Sequence, residues 1–397
     1  MAVLEAIGQP GMRVSPRQRN LAGACLAHFL HDGYTDQLYA LLPLWQAQFG
    51  LSYAGLAMVR ALYYGIMGGL QLPANRFTAG LGPRTALALA TFIAVAGYVI
   101  MALPGGFTGL CIGLVVAGIG ASIQHPRASL LVTESYGKDS RGPLGIYNFS
   151  GDLGKSVFPA VVALLLTVSA WRPVLGLMAC VGLASALGLL WLLPRQNFTA
   201  RREGAHAATA RSGKGFNLLL SIGALDTSTR MGYLLFLPFL LHHKGGSETI
   251  VGVGLALLFI GGALGKASCG WLGQRLGVVW TVITTEGLTA LLIMATALLP
   301  LQPMLLLLPV LGIVLNGTSS VLYGTVPELA PRGDTGRAFA LFYTGVIGAG
   351  GLAPIAYGAI ADHFSRLAGI SASAMTAAAI IPLIFALRPA LRDQMAG

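Results

Sequence analysis

The sequence predicts an all-α integral membrane protein of twelve transmembrane helices in two pseudo-symmetric six-helix bundles. Three observations carry this expectation. Only 10% of the 397 residues are charged while 55% are hydrophobic, and the mean hydropathy is +0.73, whereas an ordinary soluble domain carries about 25% charge. Twelve apolar stretches recur along the chain, each near the roughly 20 residues a helix needs to cross the hydrocarbon core. A polar, basic break near mid-chain separates two halves that echo each other.

The first span is expected over residues 21–44. It follows Arg17 and Arg19 but is too long for a secretory leader and lacks a small-residue cleavage site, so it reads as a retained helix. Spans two to six are expected over residues 53–75, 85–103, 107–132, 143–168 and 173–193, completing a bundle over residues 1–194. Residues 195–215 are basic and rich in Ala, Thr and Gly, the composition of a flexible linker. The second bundle, residues 216–397, holds spans over 216–241, 250–273, 279–299, 304–328, 338–361 and 371–387. Low polarity across so many segments favours helices over a membrane barrel, whose strands would alternate.

The halves repeat. Asp32 and Asp226, Gly82 and Gly277, Glu134 and Glu328, Tyr147 and Tyr343, and Pro159 and Pro354 match in order at offsets of 194 to 196 residues. Seventeen of the 25 basic residues fall on the connections of one side and only Arg172, Lys244 and Arg366 on the other. By the positive-inside rule both termini are expected in the cytoplasm, which places the chain in the inner membrane of a cell. Cys25, Cys111, Cys180 and Cys269 lie in apolar stretches without C-x-x-C spacing, so they suggest neither a disulfide framework nor a zinc site. They read as packing residues.

Twelve helices, a central basic linker and parallel halves resemble the major facilitator superfamily. Gly270-Trp271-Leu272-Gly273-Gln274-Arg275-Leu276-Gly277 is similar to that superfamily's loop signature, with Gln274 where the usual residue is Asp. The loop between spans two and three keeps Asn75, Arg76, Gly82 and Arg84 at altered spacing. Within the superfamily, the first half resembles the fosmidomycin-resistance type through His28, Asp32 and Pro43 and through the run from Gly118 to Ser129 that contains Gln124-His125-Pro126-Arg127. Arg127 stands where that type has an acidic residue, and the antiporter signature of span five is reduced to Phe158-Pro159. The resemblance implies that spans one, four, seven and ten line a central cavity.

Ionisable side chains inside such spans are costly and mark functional sites by default. On an ideal helix, His28, Asp32, Thr35, Asp36, Tyr39 and Pro43 fall within an arc of roughly 100°. Asp32, Asp36 and His28 are therefore the candidate proton-coupling groups, Asp32 first. Arg127 and Arg230, from opposite halves, are the candidate contacts for a small organic anion, with Tyr39, Gln124, His125 and Asn316 beside them. Either His125 or Arg127 lines the route, with Arg127 preferred. Asp152, Lys155, Arg60 and Asp226 are expected to form an ion-pair network, and Lys266 sits in a glycine run where helices approach closely. Arg76, Arg275, Glu134 and Glu328 are candidate gating residues, Glu328 together with the following Arg332, Asp334 and Arg337. Span one keeps two acids and two histidines while span seven keeps one acid and adds Arg230, so the proton chemistry is expected in the first half.

The expected function is secondary active transport, proton-coupled and by alternating access, of a small organic anion or drug. Export of an amphiphilic drug or a divalent metal, and a membrane sensor without transport, are the alternatives. No nucleophile elbow, metalloprotease helix or phosphate loop occurs, so an enzyme is not expected. The sequence asks for no cofactor, resident metal or nucleic acid; its partners are a small molecule, protons and the bilayer, and it reads as a monomer.

Overall fold

The computed structural model describes residues 15–195, 213–331 and 335–395, and these are helical with no strand among them. Most of the expected linker and the loop residues Arg332 and Asp334 lie outside the described residues. Span one is built from α1 (Pro16–Asp36) and α2 (Leu38–Phe49), and span two from α3 (Tyr53–Gly69) and α4 (Gln71–Thr78). Spans three to six are α5 (Pro83–Ala102), α6 (Gly106–Tyr136), α7 (Arg141–Leu165) and α8 (Trp171–Leu192). In the second half, α9 (Lys214–His243) is span seven, and α10 (Glu248–Leu298) carries spans eight and nine. The last three spans are α11 (Leu301–Thr325), α12 (Thr335–His363) and α13 (Arg366–Met395). An even number of crossings per half returns each half to the side it started from. That side is called the terminus face below, and the opposite side the far face.

Local chemistry sets the boundaries. Ser15 caps α1 in a reciprocal capping box with Gln18, satisfying donors that the first helical turn leaves open. Span one breaks at Gln37, where Ala40 donates back only three residues, a local tightening just ahead of Pro43, which has no N–H to give. Gly277 joins spans eight and nine at φ 78° and ψ 160°, a conformation that a Cβ would forbid. Several helices overrun the apolar windows of the sequence by up to a turn or more, because a helix satisfies its own backbone and continues beyond the hydrocarbon.

Eight helical stretches among the described residues are long and apolar enough to cross a membrane. The four spans missing from that set are one, two, five and seven, the spans that carry Asp32 and Asp36, Arg60, Asp152 and Lys155, and Asp226 and Arg230. Large apolar side chains such as Leu291, Leu306, Leu352 and Met375 stand exposed on the outer surface. A soluble monomer rarely shows so much apolar surface; here it faces lipid.

The two halves meet from mid-height to the far face. Both carboxylate oxygens of Asp362, at the end of α12, accept from the backbone N–H groups of Tyr53 and Ala54 at 2.8 and 2.9 Å. A second half residue thus caps the first turn of a first half helix, where the helix dipole favours negative charge. Close by, the Tyr53 ring meets Phe236 and Phe239 edge-on; in a separate contact between the halves, Gly252 of span eight packs on Ala160 and Ala163 of span five. On the terminus face, by contrast, Leu72 and Phe77 at the end of span two are exposed, Phe77 at 88%.

Candidate functional site

Asp32 lies midway along span one and is 6% exposed. One turn earlier, His28 brings Nε2 to 3.2 Å from Asp32 Oδ2. From span five, Lys155 Nζ reaches the same oxygen at 3.1 Å, and from span four His125 Nε2 stands 3.7 Å from Oδ1. His28 Nδ1 is 2.9 Å from the backbone carbonyl of Tyr147, whose ring stacks on the imidazole at 4.0 Å. A carbonyl only accepts, so Nδ1 carries a hydrogen. Nε2 then bonds to Asp32 only through a further proton, held on either partner. Gly151 of span five makes the room, since a Cβ there would lie 2.6 Å from Asp32 Oδ2 and 2.7 Å from His28 Cε1.

The charges continue across the molecule in alternating sign. Lys155 Nζ is also 3.8 Å from Asp152 Oδ1, and that oxygen accepts from Lys266 Nζ of span eight at 2.5 Å. Asp32, Lys155, Asp152 and Lys266 therefore form a row that starts in one half and ends in the other. Each charge in this row has a partner of opposite sign, and an unpaired charge buried there would cost several kcal/mol.

Deeper toward the far face, Arg60 of span two lies 3.7 Å from Asp36 Oδ1. Its guanidinium covers the rings of Tyr39 and Tyr64 at 4.1 and 5.1 Å, a cation–π arrangement favoured where water is scarce. Met231 of span seven closes this group from the other half, 3.9 Å from Arg60 and accepting from the Tyr39 hydroxyl at 3.4 Å. In the second half, Arg230 reaches only the Thr227 hydroxyl, at 3.5 Å, and its Nε has no partner. It enters none of the ion pairs among the described residues, which leaves most of its donors unspent.

The structure separates the sequence candidates. His125, not Arg127, faces Asp32. Arg127 instead donates to the carbonyl of Leu81 at 2.5 Å, in the loop between spans two and three, with Glu134 as its charged neighbour. Pro126 lies inside a helix that continues past it, so the two side chains keep their opposite directions. Arg127 is thus a tie to the terminus-face loop rather than a wall of the central site. Gln124 is buried beside the Tyr147 hydroxyl. Asn316 donates to Gly312 at 3.2 Å and packs against Gly262, at the contact of spans eight and ten. His31 turns away to Thr91 at 3.3 Å.

Asp226 joins neither Asp152 nor Arg60; its carboxyl contacts Glu286 of span nine. Arg76, Arg275 and Glu328 are exposed on the terminus face, Arg275 lying over Trp271 at 4.4 Å, and none of them enters an ion pair among the described residues. Five contributors escaped the sequence reading: Tyr147 as the carbonyl acceptor for His28, Gly151, Met231, Asp362, and Lys266 as the partner of Asp152. Lys266 was visible as an intramembrane cation. Its partner depends on how spans five and eight register, which no spacing within either span encodes.

Known proteins place this geometry. The chain matches the family described as Major Facilitator Superfamily over residues 24–225 and again over 219–395. It is similar to the fosmidomycin resistance protein of Escherichia coli (strain K12), 23% identical with 87% of each chain covered. It is also similar to the uncharacterized MFS-type transporter YfnC of Bacillus subtilis (strain 168), 23% identical over 96% of this chain and 93% of that one. Among solved structures, a bacterial homologue of the human lysosomal transporter Spinster, in an inward-facing and occupied conformation, superposes with a TM-score of 0.76 at 16% identity. That superposition covers 96% of this chain and 99% of the other, and such a likeness speaks for the fold.

Proposed function

The chain belongs to the major facilitator superfamily, and from that premise we propose that it is a proton-coupled secondary transporter. It moves a small organic anion or drug across the inner membrane by alternating access, with the site near the midplane between the two halves. The observation that carries this reading is the Asp32 carboxylate, buried and surrounded by His28, His125 and Lys155 from three different spans.

A proton beyond the one that the His28–Asp32 bond already holds neutralises the Asp32 carboxylate and loosens its hold on Lys155. Asp152, 3.8 Å away, is the next acceptor, and its new partner competes with Lys266, the tie to the other half. Protonation at one end of the row thus weakens the inter-half link at the other, the kind of discrete two-arrangement element that coupling requires. Arg230, with its donors largely open, is the contact for an anion, and Arg60 with Tyr39 forms the opposing wall. The basic residues gathered on the terminus face make that face cytoplasmic, so both termini are inside and Asp362 closes the outer side. The likeness to a resistance protein supports export as the direction.

A second reading has its own observation. One ligand atom each from His28, Asp32 and His125 lie within 4.8 Å of one another, a donor set suited to a borderline divalent metal as cargo. The Lys155 ammonium competes for the same carboxylate at 3.1 Å, so the anion or drug reading is the better supported.

Flux in proteoliposomes under an imposed pH gradient, across organic anions, cationic drugs and divalent metals, tests both. Proton movement with one class of substrate, lost in Asp32→Asn, is the expected result. No proton movement with any substrate would sink the coupling proposal.

A further inference from the structure

Asp226 and Glu286 are 3% and 1% exposed and come from neighbouring spans, seven and nine. Their carboxyl groups lie against each other. Two ionised carboxylates offer four acceptor sites and no hydrogen, so such a contact exists only with a proton between them.

The surroundings set how many protons the pair holds. Arg230, one turn along from Asp226, is the cation that faces both groups; Tyr323 of span ten faces Asp226, and the Thr318 hydroxyl reaches Glu286. Neither acid enters an ion pair with another residue among the described residues. Two acids, one arginine and one proton sum to zero net charge. Removing the proton would leave an uncompensated negative charge in a buried site, and adding a second would leave Arg230 unbalanced, each costing free energy in a low dielectric.

We propose that Asp226 and Glu286 form a one-proton site in the second half, separate from the Asp32 cluster. Its proton also decides whether Arg230 is drawn to a bare carboxylate pair or left open. Only this consequence for transport rests on the reading of Arg230 as the anion contact; the proton site stands without it.

Infrared difference spectroscopy of the reconstituted protein at neutral pH tests the site directly. The wild type is expected to show the carbonyl stretch of a protonated, buried carboxylic acid. In Glu286→Gln, which keeps the shape and can still hydrogen-bond, Asp226 ionises against Arg230 and the band disappears; in Asp226→Asn, Glu286 does the same. In Asp32→Asn the band persists. A wild type without the band, or a band that survives both single substitutions in the second half, would overturn the proposal. Flux that ignores pH in proteoliposomes would overturn the coupling reading and leave this band in place, so the two failures are distinguishable.

Discussion

Asp32 and Asp226 hold equivalent positions in the repeat, 194 residues apart, yet each half settles its buried acid differently. Around Asp32 the first half assembles His28, His125 and Lys155, so the charge is balanced by bases that can give or take a proton and change partners. Around Asp226 the second half supplies another acid, Glu286, and a single arginine. The duplicated fold conserves the cost of burial but not its remedy. One half is equipped to exchange ion-pair partners; the other holds its groups in a compact neutral trio.

The largest expected effect breaks the first remedy. Asp32→Asn removes the acceptor shared by His28 and Lys155, and pH-driven flux in proteoliposomes should fall on the order of a hundredfold, equivalent to about 2.7 kcal/mol in the transition state. Next comes Gly151→Ala. A methyl 2.6 Å from Asp32 Oδ2 forces span one from span five, and overpacking of this kind costs about 1–3 kcal/mol. The thermal midpoint of the detergent-solubilised protein should drop, whereas an alanine at Gly287 of span nine, which has open space around it, should leave it nearly unchanged.

A smaller effect is expected at the far face. Asp362→Asn keeps one acceptor but loses the negative charge on the first turn of α3, worth about 0.3–1 kcal/mol at an exposed helix start. Spin labels on the two halves should report a larger population open on that face, and no change in their distance distribution would count against the cap as a closing contact.

The smallest effect concerns His242, held 3.4 Å from Glu248 on the far face. The Glu248 carboxylate beside it raises the pKa of His242 above its ordinary value. Its contribution to stability is therefore full below the unfolded value, near 6.5, and is lost as pH rises through the higher folded value. His242→Ala should lower the thermal midpoint slightly at acidic pH and not at all well above neutrality.

How much of this was legible beforehand follows from what a sequence encodes. Burial cost is written into single residues: Asp32, Arg60, Asp152, Lys155, Arg230 and Lys266 stood out because a charge in a 20-residue apolar window is conspicuous. The repeat was legible from five matched residues at a near-constant offset, and the twelve spans from the length of their apolar stretches. Pairing was not. That Lys266 reaches Asp152, that Glu286 meets Asp226 and that Asp362 caps Tyr53 depend on the rotation and depth of helices far apart in the chain. Direction on a helix was half legible: the opposition of His125 and Arg127 could be read from their spacing, but which of them faces span one could not. Gly151 hid among 54 glycines and shows its role only when a Cβ is built against Asp32.

In the proposed cycle the Asp32 cluster is what lets a pH gradient drive transport. The most direct test is a comparison of two assays on Asp32→Asn in proteoliposomes: flux driven by a pH gradient, and exchange of substrate across the membrane without any gradient. Exchange should persist while the pH-driven component is lost. A variant that still responds to the gradient as the wild type does would contradict the account.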